Sequence, residues 1–411
     1  MAKDVFYTAI DIGTSKISTL VARVGQEGEL KIVGAGYVPS QGVNRGRIVN
    51  MAEIQEALQA SLSEAQKYLG GQLPPAFVGV TGDNITCVNT TGTTQALNPS
   101  GSISASDVNH VLELSVPRPA EDKEILHLYP RNFIIDGNQS VRDAIGLHAT
   151  KLEVESHVVL SDKSSVEDIK RAVESCGVPV RGVALNALAA SEAVLTEGEK
   201  EVGVVLIDIG AGITDVAVFR NGNLWYNTCL PVGGRLVSRD LSIALSIPFH
   251  YAEELKLKWG HAMLGPKDGD EEILMPSFQG RPKAMVKRSM ACRPISERLQ
   301  ETLGLVMMKV QQAGMTRMPP GGVVITGGTA EMAGIEQLAK FLYSCPVRIA
   351  GPTSVPGLSA DEKKPPYSVV VGLLLWGINH LNEKKHKAGA EKSPGQQGSL
   401  FQRIKKVIEA K

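Results

Sequence analysis

No two cysteines in this 411-residue chain are spaced C-x-x-C, and the five present (Cys87, Cys176, Cys229, Cys292, Cys345) are scattered and odd in number. That pattern offers neither a disulfide framework nor a zinc site, and it suits a reducing cytosol. Excess charge is also lacking, because 43 basic and 43 acidic side chains cancel. A general nucleic-acid binder needs a basic surplus for phosphates, so no nucleic-acid partner is expected. No basic segment followed by an apolar one opens the chain, so no signal peptide is read. The longest apolar run, SVVVGLLLWGI at 368–378, falls short of the ~20 residues that span a bilayer and predicts a buried helix instead. G-x-G-x-x-G and G-x-x-x-x-G-K-[ST] are both missing, which removes the Rossmann and Walker routes to phosphate binding.

What the chain does have is one pattern used twice. VFYTAIDIG, ISTLVARV and LKIVGAGYVP read as successive strands, and from Glu201 the stretches EVGVVLIDIG, TDVAVFRNG and NLWYNTCLPVGG repeat the rhythm. Both copies turn at Asp-Ile-Gly, 197 residues apart from Asp11 to Asp208, too far for a solenoid and right for two related domains. Helical patterns lie between them. Ile54, Leu58, Leu62 and Ala65 share one face, and Ser165 with Asp168 resembles a capping box opening the next helix. Strands alternating with helices predict α/β layers. Residues 83–161 differ in texture, with Thr/Asn-rich strands around a short helix, and read as an inserted α+β unit. Residues 383–398, EKKHKAGAEKSPGQQG, read as a flexible tether.

A strand ending in Asp, then turning through Gly with small hydroxyls, offers backbone N–H groups to an anion. Asp11, Gly13, Thr14, Ser15 and Lys16 form one such turn; Asp208, Gly210, Ala211, Gly212 and Thr214 form the other, with Asp215 following. Facing across a cleft, they can hold a triphosphate, with Mg²⁺ held through water by Asp11, Asp208 and Asp215. Either turn alone is an ordinary tight turn. Gly327-Gly328-Thr329 follows a four-residue apolar strand and permits close approach of a flat ring or a ribose, though a plain strand-to-helix turn looks the same. In HYAEELKLKWG, Glu253 and Lys256 share a helix face and can grip a ribose and an adenine edge, or remain a solvated surface pair.

At the C-terminus Leu400, Phe401, Ile404, Val407 and Ile408 form one helical stripe flanked by Arg403, Lys405, Lys406 and Lys411. Such a helix lies in a membrane plane with its cations on anionic headgroups, or docks on the protein's own surface; the preceding tether favours the membrane.

In that order, these features resemble the actin, Hsp70 and sugar-kinase superfamily. The motifs AIDIGTSKI, LNALAASEAVL, LIDIGAGITDV, LPVGGRLVSRDLSIAL, AEELK, VVITGGTAEMAGI and VVVGLLLWG, the insertion and the tethered tail narrow the resemblance to the bacterial FtsA cell-division family, nearly end to end. The resemblance implies duplicated actin-like (ribonuclease H-like) α/β domains around a nucleotide cleft with an inserted α+β subdomain. It divides the chain into 1–83 with 162–200 and 366–382, the insert 84–161, 201–230 with 308–365, and a small subdomain 231–307, followed by the linker 383–398 and the membrane helix 399–411. It adds Gly233 and Gly234 to the cleft, ATP and Mg²⁺ as cofactors, and Asp208 as the residue positioning water. It also implies self-association into filaments, later division proteins as partners, and a place on the cytoplasmic side of the membrane at the division septum. The small subdomain would hold the tail of the tubulin-like protein FtsZ, and its Arg281, Lys283, Lys287, Arg288 and Arg293 can meet an acidic peptide or form a solvated basic face. Ala211 and Ile213 stand where the family more often has Gly and Thr, which bears on hydrolysis more than on binding. A pilus-assembly relative and a small-molecule kinase of the same superfamily are the alternatives; a chaperone is disfavoured because no substrate-binding β domain follows.

Overall fold

The computed structural model describes residues 4–67, 69–95, 101–265, 270–275 and 284–390. Strands β1 (Val5–Ile12), β2 (Lys16–Val24) and β3 (Leu30–Pro39) form an antiparallel meander, followed by a small hairpin of β4 (Val43–Asn44) and β5 (Arg47–Ile48). Helix α1 (Met51–Gln66) starts where Asn50 Oδ1 accepts from the Ala52 and Glu53 N–H groups, and it buries Ile54, Leu58, Leu62 and Ala65 as its periodicity requires. The chain then forms β6 (Ala76–Val80) parallel to β1.

The insert comprises β7 (Thr86–Gln95), α2 (Ala105–Ser115), β8 (Lys123–Ile135), β9 (Gln139–Val141) and β10 (Lys151–Asp162). Its antiparallel sheet, in the order β7-β10-β8-β9, packs against α2 around a separate core that includes Val108, Leu112, Phe133 and Val154. The chain returns through α3 (Lys163–Ser175), β11 (Val180–Leu185) and α4 (Asn186–Val194), completing a sheet of order β11-β6-β1-β2-β3.

After α5 (Glu197–Val202) the plan repeats. Strands β12 (Val204–Ile209), β13 (Thr214–Arg220) and β14 (Asn223–Leu230) form a second meander. Helices α6 (Gly234–Leu245) and α7 (Phe249–Trp259), a hairpin of β15 (Glu272–Met275) and β16 (Ala284–Lys287), and the long α8 (Arg288–Gln312) come next. The second sheet closes with β17 (Val323–Thr326), α9 (Ile335–Tyr343) and β18 (Val347–Ile349), and α10 (Ser368–Ala390) returns to the first half. Its order, β18-β17-β12-β13-β14, matches the first sheet strand for strand, with three antiparallel strands and two parallel ones. The central strands β1 and β12 are buried over most of their length, as strands covered on both faces must be. Helix α10 lies against α4 so closely that a side chain on Gly372 would strike the Ala189 carbonyl.

The insert also leans on the second half. The side-chain amides of Asn227 on β14 and Asn89 on β7 lie 2.8 Å from Nε2 and Nδ1 of His157 on β10, one ring nitrogen donating and the other accepting. The Arg131 guanidinium stacks 3.4 Å over the Trp225 ring.

Three expectations change. Glu201 and Val202 end helix α5, opened by a Thr196–Glu199 capping box, instead of starting a strand. Helix α3 begins at Lys163, two residues before Ser165, so the Ser165–Asp168 box does not form. Asp162 at its N-cap makes no side-chain cap because Lys123 at 2.6 Å and Arg47 at 3.2 Å hold its carboxylate. Helix α10 runs on to Ala390, into the stretch read as tether, because Glu, Lys and Ala propagate a helix and no proline intervenes before Pro394. The rest of that tether, 391–398, and the terminal residues Leu400, Phe401, Arg403, Ile404, Lys405, Lys406, Val407 and Ile408 lie outside the described residues. No described helix is long and apolar enough to cross a membrane.

Candidate functional site

The two Asp-Ile-Gly turns are built alike. Gly13 N–H donates to the Lys16 carbonyl at 3.0 Å, and Gly210 N–H donates to the Ile213 carbonyl at 2.9 Å, so each hairpin closes at the same register 197 residues apart. They face each other closely enough that a side chain on Gly212 would meet Thr14 Oγ1 at 2.6 Å. Between them lies a cleft of about 890 Å³, within the ~300–1,000 Å³ of a small-molecule site. Asp11, Gly13, Thr14, Ser15 and Lys16 line one wall, with Asp208, Gly210, Ala211 and Asp215 opposite.

Three carboxylates sit at its floor, all in low dielectric. Burial pushes Asp11 up to about 6 against the opposing pull of Lys16 and Asn186, whose Nδ2 donates to Asp11 Oδ1 at 3.4 Å. Burial likewise raises Asp215 to about 6 although Thr81 Oγ1 lies 2.6 and 2.8 Å from its two oxygens. Asp208 is raised well above the usual carboxylate range by burial and then by the charges of Asp215 and Asp11. Such a trio invites a cation. Among the described residues no group of three His, Cys, Asp or Glu side chains is placed to hold a metal directly. The register pairs Asp208 with Asp215 and Asp11 with Ser18, so the first turn lacks the second acid. Ser18 Oγ is buried there without a hydrogen-bond partner.

Lys16 leans away from the floor. Its Nζ lies 3.3 Å over the Tyr367 ring, and burial pushes it down to about 8 against the pull of Asp11, Glu331 and Asp208.

The far wall comes from α6, α7 and the loop after β17. Lys256 Nζ reaches both Glu253 oxygens at 2.8 and 2.9 Å and the Gly234 carbonyl at 3.2 Å, so this pair is an inward clamp; Ser238 Oγ also bonds Glu253. Gly234 needs its missing side chain, since a Cβ would meet Thr329 Oγ1 at 2.5 Å. Gly327 is left-handed at φ 86°, its α-carbon pressed against Asp208, and Thr329 Oγ1 donates to the Gly210 carbonyl at 3.1 Å. Gly327, Gly328 and Thr329 all line the cleft.

Several expected residues stand elsewhere. Thr214 is fully buried and its hydroxyl donates to the Val232 carbonyl at 2.9 Å, so it braces the turn from behind. Gly233 is a spacer whose Cβ would sit 2.7 Å from the Gly210 and Ala211 carbonyls, and Gly212 lies outside the main cleft, along a side chamber. The described members of the basic set around 281–293 are paired: Lys287 with Asp270 at 2.7 Å, Arg288 with Glu271 at 3.0 Å and Arg293 with Glu297 at 2.9 Å. Neighbouring acids on the hairpin and one helical turn on supply those partners; Arg281 and Lys283 lie outside the described residues. Thr81 and Phe249 line the cleft although no motif pointed to them, and Asn186 and Glu331, inside the stretches LNALAASEAVL and VVITGGTAEMAGI, line it without having been singled out.

The cell division protein FtsA of Pseudomonas aeruginosa is 35% identical over 376 residues, covering 91% of this chain and 89% of its own. This chain belongs to the FtsA cell-division family. The FtsA of Neisseria meningitidis serogroup B is 31% identical with 98% of each chain covered, and that of Bacillus subtilis strain 168 is 32% identical over 95% of this chain and 87% of its own. The family profile "Cell division protein FtsA" matches residues 205–372, and "SHS2 domain inserted in FTSA" matches 82–160, where the α+β insert stands. Among solved structures, the PilM-PilN type IV pilus biogenesis complex superposes with a TM-score of 0.63 at 15% identity, covering 90% of this chain and 98% of its own. MreB 5 of Spiroplasma citri bound to AMPPNP gives 0.56 at 13% identity, covering 93% and 98%. These likenesses establish the actin-like fold that the FtsA family shares.

Proposed function

We propose that this FtsA-family chain binds ATP with Mg²⁺, polymerises as actin-like filaments, tethers FtsZ filaments to the cytoplasmic face of the membrane at the septum, and helps recruit later division proteins. The observation that carries the nucleotide part is the pair of identically closed turns, 197 residues apart, facing across one cleft. The Gly13–Lys16 and Gly210–Ala211 turns would cradle the phosphates; Glu253 and Lys256 would hold the ribose and base edge; Gly327, Gly328 and Thr329 would back them. Asp11, Asp208 and Asp215 would hold Mg²⁺ through water, and Asp208 would orient a water for hydrolysis. Bound Mg-ATP supplies the charge that draws the two walls together. Ala211 and Ile213 narrow the second turn, so binding with weak or absent hydrolysis is the expected balance.

The membrane part rests on the stripe Leu400, Phe401, Ile404, Val407 and Ile408 with its flanking Arg403, Lys405 and Lys406. A single short helix binds reversibly, and a filament carrying many copies multiplies that affinity. An acidic FtsZ tail reaching 231–307 would exchange the intramolecular partners of Lys287, Arg288 and Arg293 for its own carboxylates.

The test is sedimentation of the full chain with anionic liposomes, with and without Mg-ATP, in the presence of a peptide copy of the FtsZ tail. Nucleotide-dependent pelleting that carries the peptide down supports the proposal. Tight ATP binding without vesicle or peptide recruitment refutes the tether.

A further inference from the structure

Behind the second turn lies a smaller chamber of about 270 Å³, and its chemistry differs from that of the main cleft. Arg45 and Asn44 enter from the hairpin tip between β4 and β5; Arg235 and Arg239 enter from α6; Ala211 and Gly212 form the wall shared with the cleft. Both halves of the molecule therefore contribute cations to one small space. No acidic side chain lines it. Two nearby carboxylates are taken up by other arginines: Asp240, next to Arg239, holds Arg298 at 2.5 Å, and Asp83 holds Arg47 of the hairpin at 2.6 Å.

Arg235 and Arg239 stand at i and i+4 on one helix, where like charges repel. Arg45 occupies the left-handed region at φ 48°, a conformation uncommon for a residue with a side chain. Its hairpin is pressed onto the Thr81–Gly82 backbone, because a side chain on Gly46 would strike the Thr81 carbonyl. Three exposed arginines thus border one small space that no acidic side chain lines, one of them with a left-handed backbone, and a bound anion supplies the counter-charge they lack there. The volume decides the size of that anion. It is below the ~300 Å³ at which drug-sized ligand sites begin and ample for a tetrahedral oxyanion with its waters.

We propose that the Arg45–Arg235–Arg239 chamber is a phosphate site beside the main cleft, with which it shares Ala211, Arg235 and Phe249. Phosphate arrives there from one of two sources, the terminal group of a bound nucleotide or free inorganic phosphate. The nucleotide source rests on the nucleotide reading above, whereas the free-phosphate source stands without it.

The experiment titrates inorganic phosphate by calorimetry into the full chain in three states: apo, loaded with ADP and loaded with AMPPNP. The variants are Arg45→Gln and Arg239→Gln, neither of which lines the main cleft. Phosphate is expected to bind the ADP-loaded chain, and each variant is expected to weaken that binding about tenfold while ADP affinity stays within about twofold. If AMPPNP excludes phosphate and ADP does not, the occupant is the terminal phosphate; if both nucleotides permit it, the site serves free phosphate. Phosphate binding unchanged by both substitutions overturns the proposal, and so does an absence of phosphate binding in every state. A chain that binds neither nucleotide but still binds phosphate through these arginines sinks the nucleotide reading and keeps the chamber.

Discussion

The carboxylates on the cleft floor set a measurable sign. Asp11 and Asp215 titrate near 6 in the folded chain against an ordinary value of 3.8, so between those two pH values the folded state holds more protons than the unfolded one. Stability contributed at this floor therefore falls as pH rises through about 4 to 6. Asp215→Asn keeps an oxygen for Thr81 and removes the charge. Its melting temperature relative to the parent should climb across that window and then level off above it; a difference independent of pH would contradict the assignment. Lys256 offers a second test. Replacing it with Ala removes a charged donor to Glu253 and to the Gly234 carbonyl, and calorimetry should find ATP binding weakened by about 2 kcal/mol, roughly thirtyfold. Of the cleft residues, those carried by a local motif were readable in advance. Thr81, just after β6, was not, and Asn186, at the start of α4, stood in a quoted motif without a visible role, because they touch carboxylates 134 and 175 positions away.

Between elements, the seam of β10 against β14 has its own pH response, opposite in sense. Burial, with Arg131 nearby, pushes His157 down to about 4 despite the Asn227 bond, so the imidazole is neutral in the fold. Its contribution is complete above the ordinary 6.5 and is lost as pH falls toward 4. Hydrogen-exchange protection factors in 151–162, corrected for the intrinsic pH dependence of exchange, should fall in acid across that window. In His157→Phe the acid effect should vanish, while Asn89 and Asn227 lose partners at a cost of about 1–3 kcal/mol. The α4–α10 contact makes a steric prediction: Gly372→Val has no room beside Ala189, and urea unfolding should find a loss of about 3 kcal/mol, the upper range for overpacking. Periodicity revealed α1 and the buried start of α10, since both obey an apolar stripe or run. It misplaced the start of α3, because the competitor for Asp162 is Lys123 on a strand 39 residues back. It left the basic set around 281–293 open between a peptide contact and a solvated face, because the acids that pair with Lys287 and Arg288 precede the hairpin and the one that pairs with Arg293 lies one helical turn on.

For the molecule as a whole, removal of residues 396–411 should abolish pelleting with anionic vesicles while leaving ATP affinity intact, and raised salt should weaken the parent's pelleting in the same direction. Truncated protein that still sediments would refute the terminal anchor. The duplicated plan was legible at this scale because two Asp-Ile-Gly turns repeat along the chain; the matching order of the two sheets adds that the repeat extends to every strand. It does not extend to the side chains that line the cleft: Thr14, Ser15 and Lys16 stand where the second turn has Ala211, Gly212 and Ile213. Where β13 carries Asp215, β2 carries Ser18. A duplicated fold left alone is a palindrome, with two interchangeable walls and no way to tell one end of a guest from the other. One hydroxyl in place of one acid, together with unlike turns and a Glu253–Lys256 clamp on one wall only, removes that ambiguity, giving the cleft a front and a back and any molecule held in it a single direction in which to lie.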